Sequence, residues 1–430
     1  MEENKQNQDI EFIKEKVKER PLNRRKLLKR TIVTASMAVI FGLIACFTFL
    51  VLEPVFTNLL YPQEETQQVE LKEESINEEM RPEDMILEEE TESEAPAIQQ
   101  TVVEKVEIEI SDYQRLYRLM YALVQQASNS MVTVTGVVTD MDWFDNPYEN
   151  QGQASGLIVA ENGKELLILT ELATVKQADS VKTTFSDGTQ AAAQLKGADE
   201  ETGLAIVSVA LEEIEETTRE SITTAVLGGS GSSLLASPVI AAGRPLGRSA
   251  SVVYGMVTST DTWASLADQN VRILTTDMTG NSNASGVLLN LSGQVVGIIR
   301  PGSSKSSTKE TVLSAYGTAD LRKIIEKLSN GQEIAHMGII GTDVPQEVSE
   351  ELGVPIGAYV TGIRMDSPAM QAGIQSGDVI VKLGTVEIAS FSDYQEAMMN
   401  LSPDTAVTVV VMRQGQDAYQ EMPIDVILGR

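Results

Sequence analysis

The sequence predicts a mainly β protein built as two compact units behind an apolar segment and an acidic linker. Two observations carry the β units. From Asn129 onward the chain breaks into short β-type runs, among them MVTVTGVV, KELLILT, GLAIVSVA, SVVYGMVTS, VRILTTD and QVVGII, with turn residues between them. Such spacing is the signature of a sandwich or barrel. A helical stretch over Ala319–Leu328 and a Gly-containing linker close that unit, and a second one runs from His336 to the end. The third observation is bulk: 430 residues with 42% hydrophobic content are enough for two or three domains with real cores.

Taken in order, residues 1–30 form a polar tail ending in the basic cluster Arg24-Arg25-Lys26-Leu27-Leu28-Lys29-Arg30. Ile32 to Leu52 then runs without a charge, a length that spans a bilayer, so 31–53 reads as a transmembrane anchor. Basic residues before it and acids after it place the N-terminus in the cytoplasm and the bulk of the protein outside. Leu43-Ile44-Ala45-Cys46 has the look of a lipobox, but apolar residues continue from Phe47 to Leu52 where a lipoprotein turns polar, which favours the uncleaved anchor. Residues 54–110 are rich in Glu, Gln, Ser and Pro, a composition that does not offset ordering entropy, and read as a disordered acidic stalk. Ser111 is the expected cap of a helix carrying Tyr113, Leu116, Tyr117, Met120 and Leu123 on one face.

The net charge of −29 argues against nucleic acid as a partner, since phosphate binding needs a cationic surface. A single cysteine, Cys46, rules out an intrachain disulfide, and a single histidine, His336, is the one imidazole any base mechanism has. No cofactor or metal ligand set is read.

Over about 111–330 the landmarks SGLIVAENGKELLILTELATV, GADEETGLAIVSV, VLGGSGSSLLASPVIAAGRPLG and TTDMTGNSNASGVLLNLSGQVVGI arrive in an order that resembles the HtrA-type, trypsin-like serine proteases. The resemblance implies a double β-barrel. Carried over position by position, the family's histidine falls on Ala173, its aspartate on Gly203 and its serine on Ala284. A serine hydroxyl is a weak nucleophile without a base, and the base needs an acid to orient it. None of the three side chains can serve, so the resemblance implies a pseudoprotease. An alternative register offers Ser282 or Ser285 as a displaced nucleophile, with Lys176 the nearest conceivable base. That alternative would make the chain an active serine endopeptidase of envelope proteolysis. The loop also lacks the family's Asn-Pro-Gly approach to the oxyanion hole.

From His336, HMGIIGTDV, SPAMQAGIQSGDVIVKLG and SFSDYQEAMMNL resemble the PDZ domains of the same family. Gly373 and Gly377 are expected in turns, and Asp378 at the start of a strand. The resemblance implies capture of an extended C-terminus along a sheet edge. Its carboxylate would sit in the nest of backbone N–H groups at Met337-Gly338-Ile339, with His336 just before and Ile340 beyond. Ala397 and Met398, on a helix opened by Ser392, would shape the pocket for the last side chain. His336 is either an ordinary loop residue or a pH-sensitive one.

The expectation is thus a bacterial, single-pass membrane protein that binds C-terminal peptides of other proteins, as scaffold or sensor in protein quality control. A possible homotrimer follows from the resemblance alone. A third expectation is a chaperone-like surface indifferent to free C-termini.

Overall fold

The computed structural model describes residues 67–71, 109–141, 147–247, 250–281, 283–300, 311–416 and 418–430, with Met37 besides. Apart from Met37, the expected anchor lies outside these residues, as do the basic tail and nearly all of the acidic linker. No helix of the described residues is long and apolar enough to cross a membrane.

The first unit opens with helix α1 (Ile110–Ala127). Strands β1 (Met131–Met141), β2 (Pro147–Glu161), β3 (Glu165–Glu171), β4 (Ser180–Thr184), β5 (Gln190–Asp199) and β6 (Leu204–Ala210) close into a barrel in the order β1-β2-β3-β6-β5-β4. A one-turn helix α2 (Leu172–Val175) follows β3, and α3 (Glu216–Ser221) follows β6. The second barrel comprises β7 (Pro238–Arg244), β8 (Ser251–Leu266), β9 (Gln269–Gly280), β10 (Ser285–Leu289), β11 (Val295–Ile299) and β12 (Thr311–Gly317), in the order β10-β11-β12-β9-β8-β7. Helix α4 (Thr318–Ser329) then packs between the barrels.

The period-2 geometry of a strand explains why Leu166–Leu169, at the heart of KELLILT, are all apolar rather than alternating. Leu166 and Ile168 point into the first barrel with Val134, Ala205 and Val207. Leu167 and Leu169 point the other way, into a cluster between the barrels with Ile240, Leu289, Ile298 and, from α4, Leu321, Ile324 and Ile325. The second barrel fills with Val239, Ala241, Leu274, Leu288, Val296 and Leu313.

The C-terminal unit is a sheet ordered β13-β14-β15-β17-β18, from β13 (Ile339–Asp343), β14 (Ala358–Ile363), β15 (Val379–Leu383), β17 (Ala406–Gln414) and β18 (Tyr419–Ile427), with β16 (Val386–Glu387) paired to β15. Helices α5 (Gln346–Leu352), α6 (Pro368–Ala372) and α7 (Phe391–Met399) flank it. Strand β13 is an edge. Gly373 and Gly377 have φ of +87° and +94°, as expected of turn glycines. Asp378, at the start of β15, is locked by Arg413 through Nε and Nη2, both at 2.7 Å.

Three local expectations are corrected. Helix α7 is opened by Ser390, whose hydroxyl accepts from the Asp393 N–H at 3.0 Å, and Ser392 lies inside the helix. This is the usual geometry of an N-cap bonding the third residue beyond it. Helix α1 likewise begins one residue before Ser111, with Glu109 and Asp112 forming a reciprocal capping box. Only the C-terminal half of its apolar face is covered: Met120 and Leu123 pack on the inter-barrel cluster, whereas Tyr113, Leu116 and Tyr117 are exposed. Finally, the acidic linker is not solvated throughout. Gln67–Leu71 is seated on the folded body, with Val69 buried and bracketed by Asn330, which accepts from the Val69 N–H (3.0 Å) and donates to its carbonyl (3.1 Å). Val69 and Leu71 are apolar islands in the acidic run, and they supply the surface that docks.

Candidate functional site

Two regions carry chemistry. The first is the cleft between the barrels. Helix α2 sets Ala173 on an exposed turn, and the N–H of its neighbour Leu172 donates to the Gly203 carbonyl at 2.8 Å. The positions matched to the base and the acid are therefore adjacent in space, as the spacing requires. Gly203 has φ of +72°, a left-handed conformation that glycine adopts without strain. The backbone there has thus settled where a side chain is disfavoured. Ala284 is buried, a member of the second barrel's core, and its N–H donates to the Asn281 carbonyl at 3.1 Å.

The displaced nucleophiles fare no better. Ser285, only 2% exposed, has its Oγ engaged between the barrels: it accepts from the Ser155 N–H (3.0 Å) and donates to Ser155 Oγ (3.3 Å). Lys176 pairs with Glu200 at 2.6 Å on the surface. Ser282 lies outside the described residues. His336, the one histidine, stands beside Asp199 and Asp268, at the junction with the C-terminal unit.

Sequence reasoning missed Glu171 in this cleft. It shares a cavity of about 20 Å³ with Ser155, Thr170, Ser285 and Gly286. Burial pushes its carboxyl up to about 7, with Arg244 opposing, and Oε1 has no hydrogen-bond partner. An acid at the end of a strand with an apolar middle was the available signal.

The second region is the nest at Met337–Ile339. Gly338 has φ of +91°, and a Cβ there would lie 2.3 Å from Ser367 Cβ, so only glycine lets the loop turn its N–H groups to one point. That point is filled by the Asp268 carboxylate, from the turn between β8 and β9. The N–H groups of Met337, Gly338 and Ile339 donate to it at 2.7, 2.7 and 2.9 Å. Tyr394 on α7 adds its hydroxyl at 2.6 Å. Asp268 is 5% exposed, and its own N–H donates to the Ile339 carbonyl at 2.7 Å. Four donors around one carboxylate offset the cost of its burial. Burial and the Asp268 charge push the Tyr394 hydroxyl well above its ordinary value.

Of the residues named for peptide capture, Met337, Gly338 and Ile339 turn their N–H groups to one carboxylate, that of Asp268. Ile340 continues β13, while Ala397 and Met398 face the core from α7. Asp268 and Tyr394 were not foreseen. Asp199 Oδ1, buried without a hydrogen bond, faces His336 Nε2 at 3.9 Å, and Asp268 Oδ2 lies 3.8 Å from Nδ1. His336 is raised above its ordinary value mainly by Asp268; burial opposes this, and the charges of Asp199 and Glu201 add to it.

The comparisons agree with this geometry. Residues 154–298 match the model for a trypsin-like peptidase domain and residues 335–423 that for a PDZ domain. The class of the protein is therefore a trypsin-like fold followed by a PDZ domain. More particularly, the relatives it is similar to are serine proteases of the HtrA type. It is 27% identical over 287 residues to the serine protease Do-like HtrA of Lactococcus lactis subsp. cremoris, covering 62% of this chain and 69% of that one. It is 30% identical over 297 residues to the serine protease Do-like HtrA of Bacillus subtilis, covering 64% of each chain. In fold it is similar to the HtrA-type protease AlgW solved with a decapeptide: TM-score 0.51, 22% identity, 72% of this chain and 98% of that one.

Proposed function

We propose that this chain is a non-hydrolytic HtrA-like protein whose working part is the PDZ domain, anchored in a bacterial cell membrane with its folded body outside. The observation that carries the reading is the cleft. It keeps the double-barrel fold but holds Ala173, Gly203 and Ala284 at the positions matched to the triad, and the one imidazole, His336, faces the carboxylates of Asp199 and Asp268 instead. A nucleophile needs a base within hydrogen-bond reach, and the base needs a partner to fix its tautomer.

Peptide capture is supported by the Met337–Ile339 nest, whose donors already hold a carboxylate. The decapeptide solved with AlgW is consistent with that use of the fold. The natural ligands are exposed C-termini of other proteins, as in quality control or scaffolding. Self-association, as the homotrimer that the family resemblance implies, is supported by the exposed Ile110, Tyr113, Leu116 and Leu119 of α1, an apolar face of the kind that marks interaction surfaces. Sedimentation of the full chain in detergent tests it.

The test of the main reading treats the full chain with a fluorophosphonate probe, alongside an active HtrA as positive control. No labelling is expected. Labelling that vanishes in Ser282→Ala or Ser285→Ala would establish the alternative, an endopeptidase with a displaced nucleophile.

A further inference from the structure

We propose that Asp268 is an internal ligand of the PDZ nest, so that the β8–β9 turn and the C-terminus of a partner peptide compete for one site. The proposal rests on the reading of this domain as a receptor for chain ends. It names what holds that receptor shut.

The contact reproduces the two bonds a terminal residue makes when added along a sheet edge: its carboxylate enters the nest and its N–H meets a strand carbonyl. Asp268 makes both, to the N–H groups of Met337–Ile339 and to the Ile339 carbonyl. Two residues on, Asn270 Nδ2 donates to the Gly341 carbonyl at 3.0 Å, farther along the same free side of β13. Gln395, on the opposite wall of the groove, reaches the Asn270 carbonyl at 3.5 Å. The turn thus lies between β13 and α7, in the groove a peptide would need. Its fit depends on Asp268 adopting φ of +61°, a left-handed conformation that Asp and Asn tolerate better than most residues.

The latch is gripped from behind as well. The Ala267 N–H donates to Glu201 Oε2 at 3.2 Å, and Gln269 Nε2 donates to Asp199 Oδ2 at 3.2 Å. Both neighbours of Asp268 are therefore held by the β5–β6 connection of the first barrel. Glu201 in turn pairs with Arg364 of the PDZ. The other polar ties between the units, such as Lys323 with Glu396 and Arg430 with Glu333, join exposed side chains, and exposed pairs hold little. Asp268 is buried in the groove itself, and its release is the step that frees it.

The experiment uses the full chain in detergent and a fluorescein-labelled decapeptide ending in valine, as the free acid and as the amide. Asp268→Gly removes the carboxylate while suiting the left-handed φ. The variant is expected to bind the free acid at least about ten-fold tighter than the unmodified chain, since the internal competitor is gone, with the amide bound by neither. Equal affinity for the two proteins overturns the latch and leaves the receptor reading intact. Hydrogen exchange at the Met337, Gly338 and Ile339 amides provides a readout that needs no peptide. These amides should exchange at least about ten-fold faster in the variant. If they do, and no peptide binds either protein, the receptor reading falls and the latch stands as a fixed clasp. If their exchange is unchanged, the latch is overturned.

Discussion

Glu171 in the inter-barrel cleft and Asp268 in the PDZ nest are both acids withdrawn from water, and they differ in every other respect. Asp268 has four donors converging on its carboxylate, whereas Glu171 keeps Oε1 without a partner and its carboxyl is pushed up to about 7. A buried charge persists when donors are arranged for it; without them the group holds its proton instead. The nest therefore has the means to hold an anion, and the pocket around Glu171 does not. Binding capability survives where the donors are backbone, because backbone N–H groups do not depend on which side chains the loop carries.

The comparison is challenged most severely at a third buried acid. Asp378 is 1% exposed and bound by Arg413, so Arg413→Ala leaves it with the Gln375 N–H and no opposite charge. A loss of about 3–5 kcal/mol is expected, read from urea unfolding of the PDZ transition. A loss under about 1 kcal/mol would show that buried acids in this domain do not need their donors.

Glu171→Gln should act in the opposite sense. The folded carboxyl lies at about 7, above its ordinary 4.5, so its favourable contribution is complete below the lower value and is lost as pH rises through the higher. The variant should therefore gain up to ~3 kcal/mol over the unmodified chain at about pH 8 and nothing near pH 4. Equal stability of the two at both ends of that range would mean that the cleft solvates Glu171 after all.

Ser285→Ala removes the hydroxyl that ties β10 to Ser155 and should cost about 1 kcal/mol. The smallest effect concerns His336, which faces Asp268, Asp199, Glu201 and Glu200. Its raised pKa adds stability that is full below about 6.5 and fades as pH rises through the folded value. The melting difference between the unmodified chain and His336→Gln should be largest near pH 5.5 and shrink by about pH 8.5. A difference independent of pH would make His336 a packing residue only.

Much of this was legible in the sequence. The short apolar runs announced the barrels, and SPAMQAGIQSGD announced the PDZ through glycines whose left-handed φ the structure confirms. The proposal of a vacant triad rests on sequence as well, because it is a matter of which side chains stand at fixed spacings. What stayed hidden depends on contacts between distant segments. Asp268 reads as an ordinary acid in a hairpin turn, since its partners Met337–Ile339 lie about 70 residues on, in another domain. Glu171 acquires its character only when the second barrel covers it. Ser390 was legible, standing three residues before Asp393, but Ser392 lay closer to the helical pattern and concealed it.

Strand β13 pairs with β14 on one side only, and an unpaired strand flank is a template for any other extended chain. The β8–β9 turn covers that flank at Ile339 and Gly341. The same contact that withholds the groove from peptides therefore shields the molecule from sticking to its own kind. Once opened, the domain must find a partner strand quickly or offer its bare rim to a neighbouring copy.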